Sequence, residues 1–202
     1  ADDVGDAGDM HRLVGPEVQA GHQFCGGKKA RIIAEKCSGC GRCSELCRFD
    51  AVLFQQEDGD GPPYRIDEFA CEGCGVCAYF CPENAIEFTD AINGTWYISE
   101  TRYGTMVHAR LTPGEENSGK LVSLIKEKSR NIGRENGSNI MIVDGSPGIG
   151  CPVISSLSGA DLAVIVTEPT ISGKHDLDRV LQLTEHFGIR SLVCVNKWDI
   201  NP

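Results

Sequence analysis

The chain has 202 residues, 41% of them hydrophobic, and a formal net charge of −10 at pH 7. Its longest apolar runs have the length of strands, well short of the about 18 residues of a transmembrane helix, so we expect a globular protein of one or two domains without a membrane span. The acidic balance also argues against a nucleic-acid partner, because phosphate binding needs clustered Lys and Arg.

Eight of the eleven cysteines lie in two copies of the pattern C-x2-C-x2-C-x3-C. This spacing is typical of two [4Fe-4S] clusters, because a tight loop supplies three thiolates to one cluster and the last cysteine of each run crosses to the other. The predicted ligands of one cluster are Cys37, Cys40, Cys43 and Cys81. Those of the other are Cys71, Cys74, Cys77 and Cys47.

The two copies form an internal repeat with an offset of 34 residues, from Cys37 to Cys71. Glycines lie between the ligands, where the backbone must turn sharply and pass close to a cluster. They are Gly39, Gly41, Gly73 and Gly75. Cys81 is followed by Pro82, as in the bacterial pattern, whereas Cys47 is followed by Arg48, a cation that we expect to raise a cluster's reduction potential. The segment 32–91 is therefore predicted to be an α+β ferredoxin domain, whose small apolar core leaves much of its folding free energy to the clusters.

Two other interpretations of the cysteines are weaker. A secreted disulfide framework is disfavoured because the cysteines cluster locally, their number is odd and no apolar signal segment precedes them. Structural zinc sites pair C-x2-C units across a longer loop, whereas here four cysteines occupy eleven residues twice. Reduced cysteines without an export signal lead us to expect a cytoplasmic protein.

Beyond residue 91 the sequence is typical of an α/β protein. Trp96–Ile98 and Thr105–Leu111 predict a hairpin, and a helix is predicted from Asn117 or Ser118 to about Asn136. Three apolar runs of strand length follow, at residues 140–143, 162–166 and 192–195. Nearly continuous apolar runs are typical of parallel strands covered on both faces. Segment 92–202 is therefore predicted to contain an open, doubly wound parallel sheet.

In such sheets ligands bind at the carboxyl ends of the strands. Asp144 follows the first run and precedes a Gly-rich turn, as in a Walker B arrangement, where the carboxylate holds Mg²⁺ and Gly148 offers its amide to a phosphate. The alternative is an ordinary Gly-Pro turn with a capping aspartate. Asn196, Lys197 and Asp199 follow the third run in the form of a motif that hydrogen-bonds a purine base.

No phosphate loop of the form G-x-x-x-x-G-K-[ST] occurs in the sequence. Three Gly-Lys pairs come closest, and we predict that all three lie in loops or helix starts. They are Gly27-Lys28, Gly119-Lys120 and Gly173-Lys174. For two cysteines outside the motifs we predict only a position in the fold. Cys194 is expected in a strand, buried in the core, and Cys25 in an exposed loop.

Together these residues resemble the MinD/Mrp-type P-loop ATPases that carry an inserted two-cluster ferredoxin domain. The resemblance covers nearly the whole chain and rests on the double cysteine motif and on four further segments, residues 114–122, 144–153, 160–170 and 196–199. It implies a nucleotide-binding fold formed by 92–202 and by an N-terminal remnant, 1–31. It also implies that Asp3 orients the attacking water, with Asp2 as the rival residue, and that Asp144 is the second catalytic carboxylate.

The family's phosphate loop lies upstream of this remnant. The resemblance therefore implies an internal fragment that lacks the phosphate-gripping lysine and is not hydrolytic alone. In the longer protein, Mg-ATP at the interface of a homodimer or related heterodimer would gate electron transfer, or cluster delivery, to a partner protein. Two alternatives stay open: a non-enzymatic electron carrier with an α/β docking scaffold, and GTP in place of ATP.

Overall fold

A computed structural model of the chain describes residues 10–55, 62–113 and 118–200. Its contacts divide the chain into two compact units. The described residues of the cysteine-rich unit lie within 23–94 and 112–117, and those of the second unit lie within 1–22, 95–111 and 118–202. The helices and strands, in chain order, are α1 (Met10–Val14), β1 (Glu17–Ile32), α2 (Arg42–Leu46), β2 (Val52–Phe54), β3 (Tyr64–Ile66), α3 (Val76–Tyr79), β4 (Ile86–Thr101), β5 (Gly104–Leu111), α4 (Ser118–Glu135), α5 (Cys151–Leu157), β6 (Leu162–Thr167), α6 (Ile171–His186) and β7 (Arg190–Val195).

The cysteine-rich unit is built from two short helices and pieces of sheet. α2 and α3 begin at equivalent positions of the repeat, after Gly41 and Gly75, whose φ angles of 76° and 78° are in the left-handed region that favours glycine. Between them, β2 and β3 pair antiparallel, with Val52 opposite Ile66. The buried apolar residues described in this unit are mostly small: Phe24, Ala30, Ala51, Val52 and Ala85. A core of this size contributes little stability.

The second unit has its core around α4. β1, β4 and β5 pair in the order β1-β4-β5, and the second unit contains residues 17–22 of β1, residues 95–101 of β4 and all of β5. The turn at Arg102-Tyr103 joins β4 to β5. The predicted hairpin is confirmed, although β4 begins at Ile86 rather than at Trp96. The predicted helix is also confirmed: α4 packs against β5 and α5 and buries Leu121, Val122 and Ile125 completely.

A strand–helix–strand element, β6-α6-β7, completes the described part of the second unit. β6 and β7 pair parallel from Leu162 opposite Arg190 to Thr167 opposite Val195, as the two later apolar runs predict. α6 begins where the backbone N–H of Gly173 donates a hydrogen bond to Oγ1 of Thr170, and it ends before Gly188, whose φ is +66°. Within the described residues, this two-stranded sheet is the parallel sheet observed. The larger doubly wound sheet stays a prediction.

Three expectations about individual segments are wrong. Residues 140–143 form no strand, and Ile140 is 82% exposed, because an apolar run becomes a strand only where a neighbouring strand pairs with it. Gly27-Lys28 and Cys25 lie inside β1 rather than in a loop, because pairing with β4 outweighs the low strand propensity of glycine and lysine. The predicted exposure of the Cys25 thiol is confirmed. Cys194 is exposed on β7 rather than buried in a core. The sequence also gave no signal for α5.

None of the described helices is both long enough and apolar enough to cross a membrane.

Candidate metal centre

Two cavities lie within the cysteine-rich unit, and four cysteines line each of them. The first cavity is lined by Cys37, Cys40, Cys43 and Cys81. The second cavity is lined by Cys47, Cys71, Cys74 and Cys77. Each set combines three cysteines of one repeat copy with the last cysteine of the other. This is the division that the sequence predicts for the ligands of two clusters, and the binding of iron by each set stays a prediction.

The short helices explain why the sets are crossed. α2 contains Cys43 and is followed directly by Cys47, and α3 contains Cys77 and ends two residues before Cys81. Four residues of helix advance by about 6 Å along the axis, so the last cysteine of each run is carried away from its own loop. The backbone N–H of Ala85 donates to Sγ of Cys81 at 3.3 Å and fixes its position.

Close packing behind the ligand loops requires glycine. A Cβ atom on Gly73 would lie 2.0 Å from the carbonyl oxygen of Lys28 in β1, and one on Gly41 would lie 2.8 Å from the hydroxyl of Tyr64 in β3. Both glycines have positive φ angles as well. The loops are therefore held directly against β1 and β3, which close the cavities from behind.

The more buried thiols resist ionisation. The pKa of the Cys77 thiol is raised from 9.0 to about 11, mainly by burial and to a smaller extent by the neighbouring Cys71 and Cys74. Burial also raises the pKa of Cys43, against the smaller opposing effect of backbone hydrogen bonding from Ser44. Four thiolates around one cavity therefore need a compensating positive charge, which iron would supply. The all-sulfur donor set fits a [4Fe-4S] cluster.

A single zinc ion fits the arrangement less well. Within residues 10–55, 62–113 and 118–200, no group of three or more His, Cys, Asp or Glu side chains is arranged to hold one metal ion. The four cysteines of each set instead surround a cavity. In a structural zinc site, by contrast, four ligands converge on one ion at about 2.3 Å or less.

Sequence reasoning missed several residues that line the cavities. Arg42 lines the first cavity and Glu72 lines the second, and both lie between ligands, so their place in the motif was a usable signal. Tyr64 in β3 lines the first cavity, and Phe88 in β4 lines the second. These two aromatic residues come from strands outside the motif, where no local pattern marks them.

The residues predicted to bind nucleotide lie elsewhere. Asp3 lies outside the described residues, and Asp144 and Gly148 lie in a segment without regular secondary structure. Asn196, Lys197 and Asp199 follow β7 and are exposed.

The structure does bring the ends of β6 and β7 together. Backbone N–H of Asn196 donates to the carbonyl oxygen of Thr167 at 2.8 Å, and Lys197 forms an ion pair with Glu168. No described contact joins Asp144 or Gly148 to these strand ends.

Comparisons with known proteins identify the cysteine-rich segment. Residues 36–85 match the family model of the 4Fe-4S dicluster domain. Two relatives from Methanocaldococcus jannaschii are named uncharacterized protein MJ0578 and uncharacterized protein MJ0579. The first is 37% identical to this chain over 170 residues, which are 84% of this chain and 56% of that protein. The second is 28% identical over 116 residues, which are 57% of this chain and 42% of that protein. The chain thus spans about half the length of these relatives. Residues 36–85 form an iron–sulfur, ferredoxin-like domain of the 4Fe-4S dicluster type.

Proposed function

We propose that the protein binds two [4Fe-4S] clusters, one in each cavity, and carries electrons one at a time between partner proteins. The observation that carries this proposal is the division of eight cysteines into two sets of four around two separate cavities of one small unit. When bound, the clusters would supply reversible one-electron chemistry. The protein's own part is to hold each set of thiolates, exclude water with apolar side chains and set the local charge.

The two sites are closely connected through the chain. α2 links Cys43 of the first cavity to Cys47 of the second, and α3 links Cys77 of the second to the Cys81 that lines the first. Burial is the main cause of the raised pKa of Cys77, and the Cys43 thiol of the first cavity is the smallest of the contributing causes. Such proximity suits a carrier in which both sites serve one path.

Anaerobic preparation followed by iron, sulfide and zinc analysis tests the proposal. We expect about eight iron and eight sulfide per chain, brown colour, and an electron paramagnetic resonance signal after reduction with dithionite. The variant Cys40→Ala should lose the cluster of the first cavity and keep the other, whereas the control Cys25→Ala, which removes an exposed thiol that lines neither cavity, should lose nothing. Colourless protein that contains zinc instead of iron would refute the proposal.

The crossed ligand sets need their own test. Cys81→Ala should remove the same cluster as Cys40→Ala, and Cys47→Ala should remove the same cluster as Cys74→Ala, because each pair lines one cavity. Comparing the spectra of the remaining clusters would show this. If Cys81→Ala instead resembled Cys74→Ala, the ligands would not cross.

A second proposal, supported by the resemblance to MinD/Mrp-type ATPases, couples these clusters to a nucleotide in a longer protein. Polar residues at the adjoining ends of the parallel strands β6 and β7, above all Lys197 paired with Glu168, support a ligand site there. In this proposal Asp144 would hold Mg²⁺, Gly148 would contact phosphate, and Asn196 and Asp199 would contact the base. Asp3 would orient the attacking water.

The natural full-length protein allows the test of this coupling. We expect its hydrolysis rate to change with cluster content, and competition between ATP and GTP would identify the nucleotide. A rate that is the same with and without clusters would refute the coupling and leave the electron-carrier proposal intact. This second proposal also includes a redox or client protein that exchanges electrons or clusters with this one. It includes the homodimer or related heterodimer as well.

A further inference from the structure

We propose that the two sites have different reduction potentials and that the first cavity, lined by Arg42, is reduced before the second, lined by Glu72. This inference rests on the proposed binding of a [4Fe-4S] cluster in each cavity. Adding an electron makes a cluster more negative, so a nearby cation stabilises the reduced form and a nearby carboxylate opposes it.

The internal repeat permits a direct comparison of the two sites. The N-cap residues Gly41 and Gly75 have nearly the same backbone angles, with ψ of −7° and −3°. The next residue lines a cavity in both copies, and it is Arg42 at the first cavity and Val76 at the second. Because the backbone is equivalent, the side chain is what differs between the sites.

A second repeat position also makes the second cavity more negative than the first. The residue after the first cysteine of each copy is Ser38 at the first cavity and Glu72 at the second, and both line their cavity. One repeat position changes the charge in the opposite direction: Glu83 lines the first cavity, and the equivalent residue Phe49 lines the second. Arg42 and Glu83 together give the first cavity a formal charge of zero, and Glu72 leaves the second with −1.

The rest of the two walls is alike. Leu46, Phe49, Val76 and Phe88 line the second cavity, and the first is lined by Ile32, Pro82, Ala85 and Ile86, so apolar atoms dominate both. An apolar wall penalises the more highly charged form of a group at both sites, so the difference between the sites rests on the charged residues.

Two cations near the second cavity interact with aromatic residues of its wall. The guanidinium of Arg48 lies 5.2 Å from the ring centroid of Phe49. The ammonium of Lys28 lies 5.9 Å from the ring of Phe88 and 3.8 Å from a carboxylate oxygen of Asp90. Neither Arg48 nor Lys28 lines the cavity itself, so each acts across an aromatic ring. We expect them to weaken the difference without reversing it.

Redox titration of the full chain, followed by electron paramagnetic resonance, tests the order. The wild type should show two one-electron steps. Arg42→Val should lower the potential of the first step and Glu72→Ser should raise that of the second, so each variant alone should bring the two steps together. In the double variant Glu83 leaves the first cavity with −1 and the second with zero, so the order of the two sites should reverse. The matched controls are Arg65→Val and Glu68→Ser. These residues are exposed, as Arg42 and Glu72 are, but they line neither cavity, so removing the same charges there should move both steps far less.

Iron and sulfide content separates failure of this inference from failure of the proposed function. Protein without clusters overturns the proposed function. Protein with two clusters overturns the inference alone if both steps coincide, or if Arg42→Val lowers the second step rather than the first. Should Arg42→Val lose a cluster, Arg42→Gln removes the same charge and keeps a polar side chain, and it must then lower the first step.

Discussion

Replacing Gly73 by alanine separates steric crowding from backbone strain in the second ligand loop. The new Cβ would lie 2.0 Å from the carbonyl oxygen of Lys28, whereas real Cβ atoms essentially never approach closer than 3.0 Å. The loop and β1 would therefore have to move apart by at least 1.0 Å, the difference between these two distances. The φ of +63° adds a strain of about 1–2 kcal/mol for any residue with a Cβ.

Gly75→Ala is the matched control, because it lies in the same loop at a φ of +78° and its Cβ would meet the ring of Phe88 at an ordinary 3.6 Å. We expect Gly75→Ala to keep both clusters and to lose about 1–2 kcal/mol of unfolding free energy. Gly73→Ala should lose the second cluster and with it half of the iron, since Gly73 stands between the ligands Cys71 and Cys74.

Iron and sulfide analysis together with denaturant unfolding under anaerobic conditions measures both effects. If Gly73→Ala kept its full iron content and unfolded like Gly75→Ala, the close approach of Lys28 would not support the site.

Three further predictions concern other parts of the chain. Lys126 is 5% exposed and donates hydrogen bonds to carbonyl oxygens at the end of α5, including that of Ser156 at 2.6 Å. Lys126→Met should leave a buried acceptor unpaired and lower the unfolding free energy by about 1–3 kcal/mol. No change is expected if water replaces the ammonium. Thr170→Ala removes the side-chain cap of α6 and should cost about 1 kcal/mol by the same denaturant assay, whereas an unchanged midpoint would mean that the cap contributes nothing. Cluster assembly on metal-free protein must displace the proton of Cys77, whose pKa is raised from 9.0 to about 11. Reconstitution at a fixed iron concentration should therefore be more complete at pH 9 than at pH 7. A yield of clusters that falls as the pH rises would contradict this.

The parts of the structure that the sequence predicts well are those encoded by neighbouring residues. The cysteine spacing is local, and so is the αL glycine before each short helix, which is why both ligand loops were predictable. Arg42 and Glu72 belong to the same local pattern. The helix α4 was predictable for a similar reason, since Leu121, Val122 and Ile125 repeat with the period of one helical face.

The parts that failed depend on pairing between distant residues. Residues 140–143 look like a strand in composition, but strand formation is decided by a neighbour that no local pattern specifies. β1 shows the reverse case, because Gly26 and Lys28 look like a loop and yet pair in a sheet. Tyr64 and Phe88 reach the cavities from other strands, so their role becomes visible only in the folded chain.

The walls of both cavities extend past the boundaries of the matched segment 36–85. Ala30 and Ile32 come from β1, Ile86 and Phe88 from β4, and the oxygen against Gly73 belongs to Lys28. A peptide excised at residues 36 and 85 would retain every sulfur ligand but would lose these flanking walls. We expect such a peptide to assemble its clusters and then to lose them quickly when it is exposed to oxygen. Protection of the clusters from oxygen would therefore come from the flanking strands rather than from the cysteine motif.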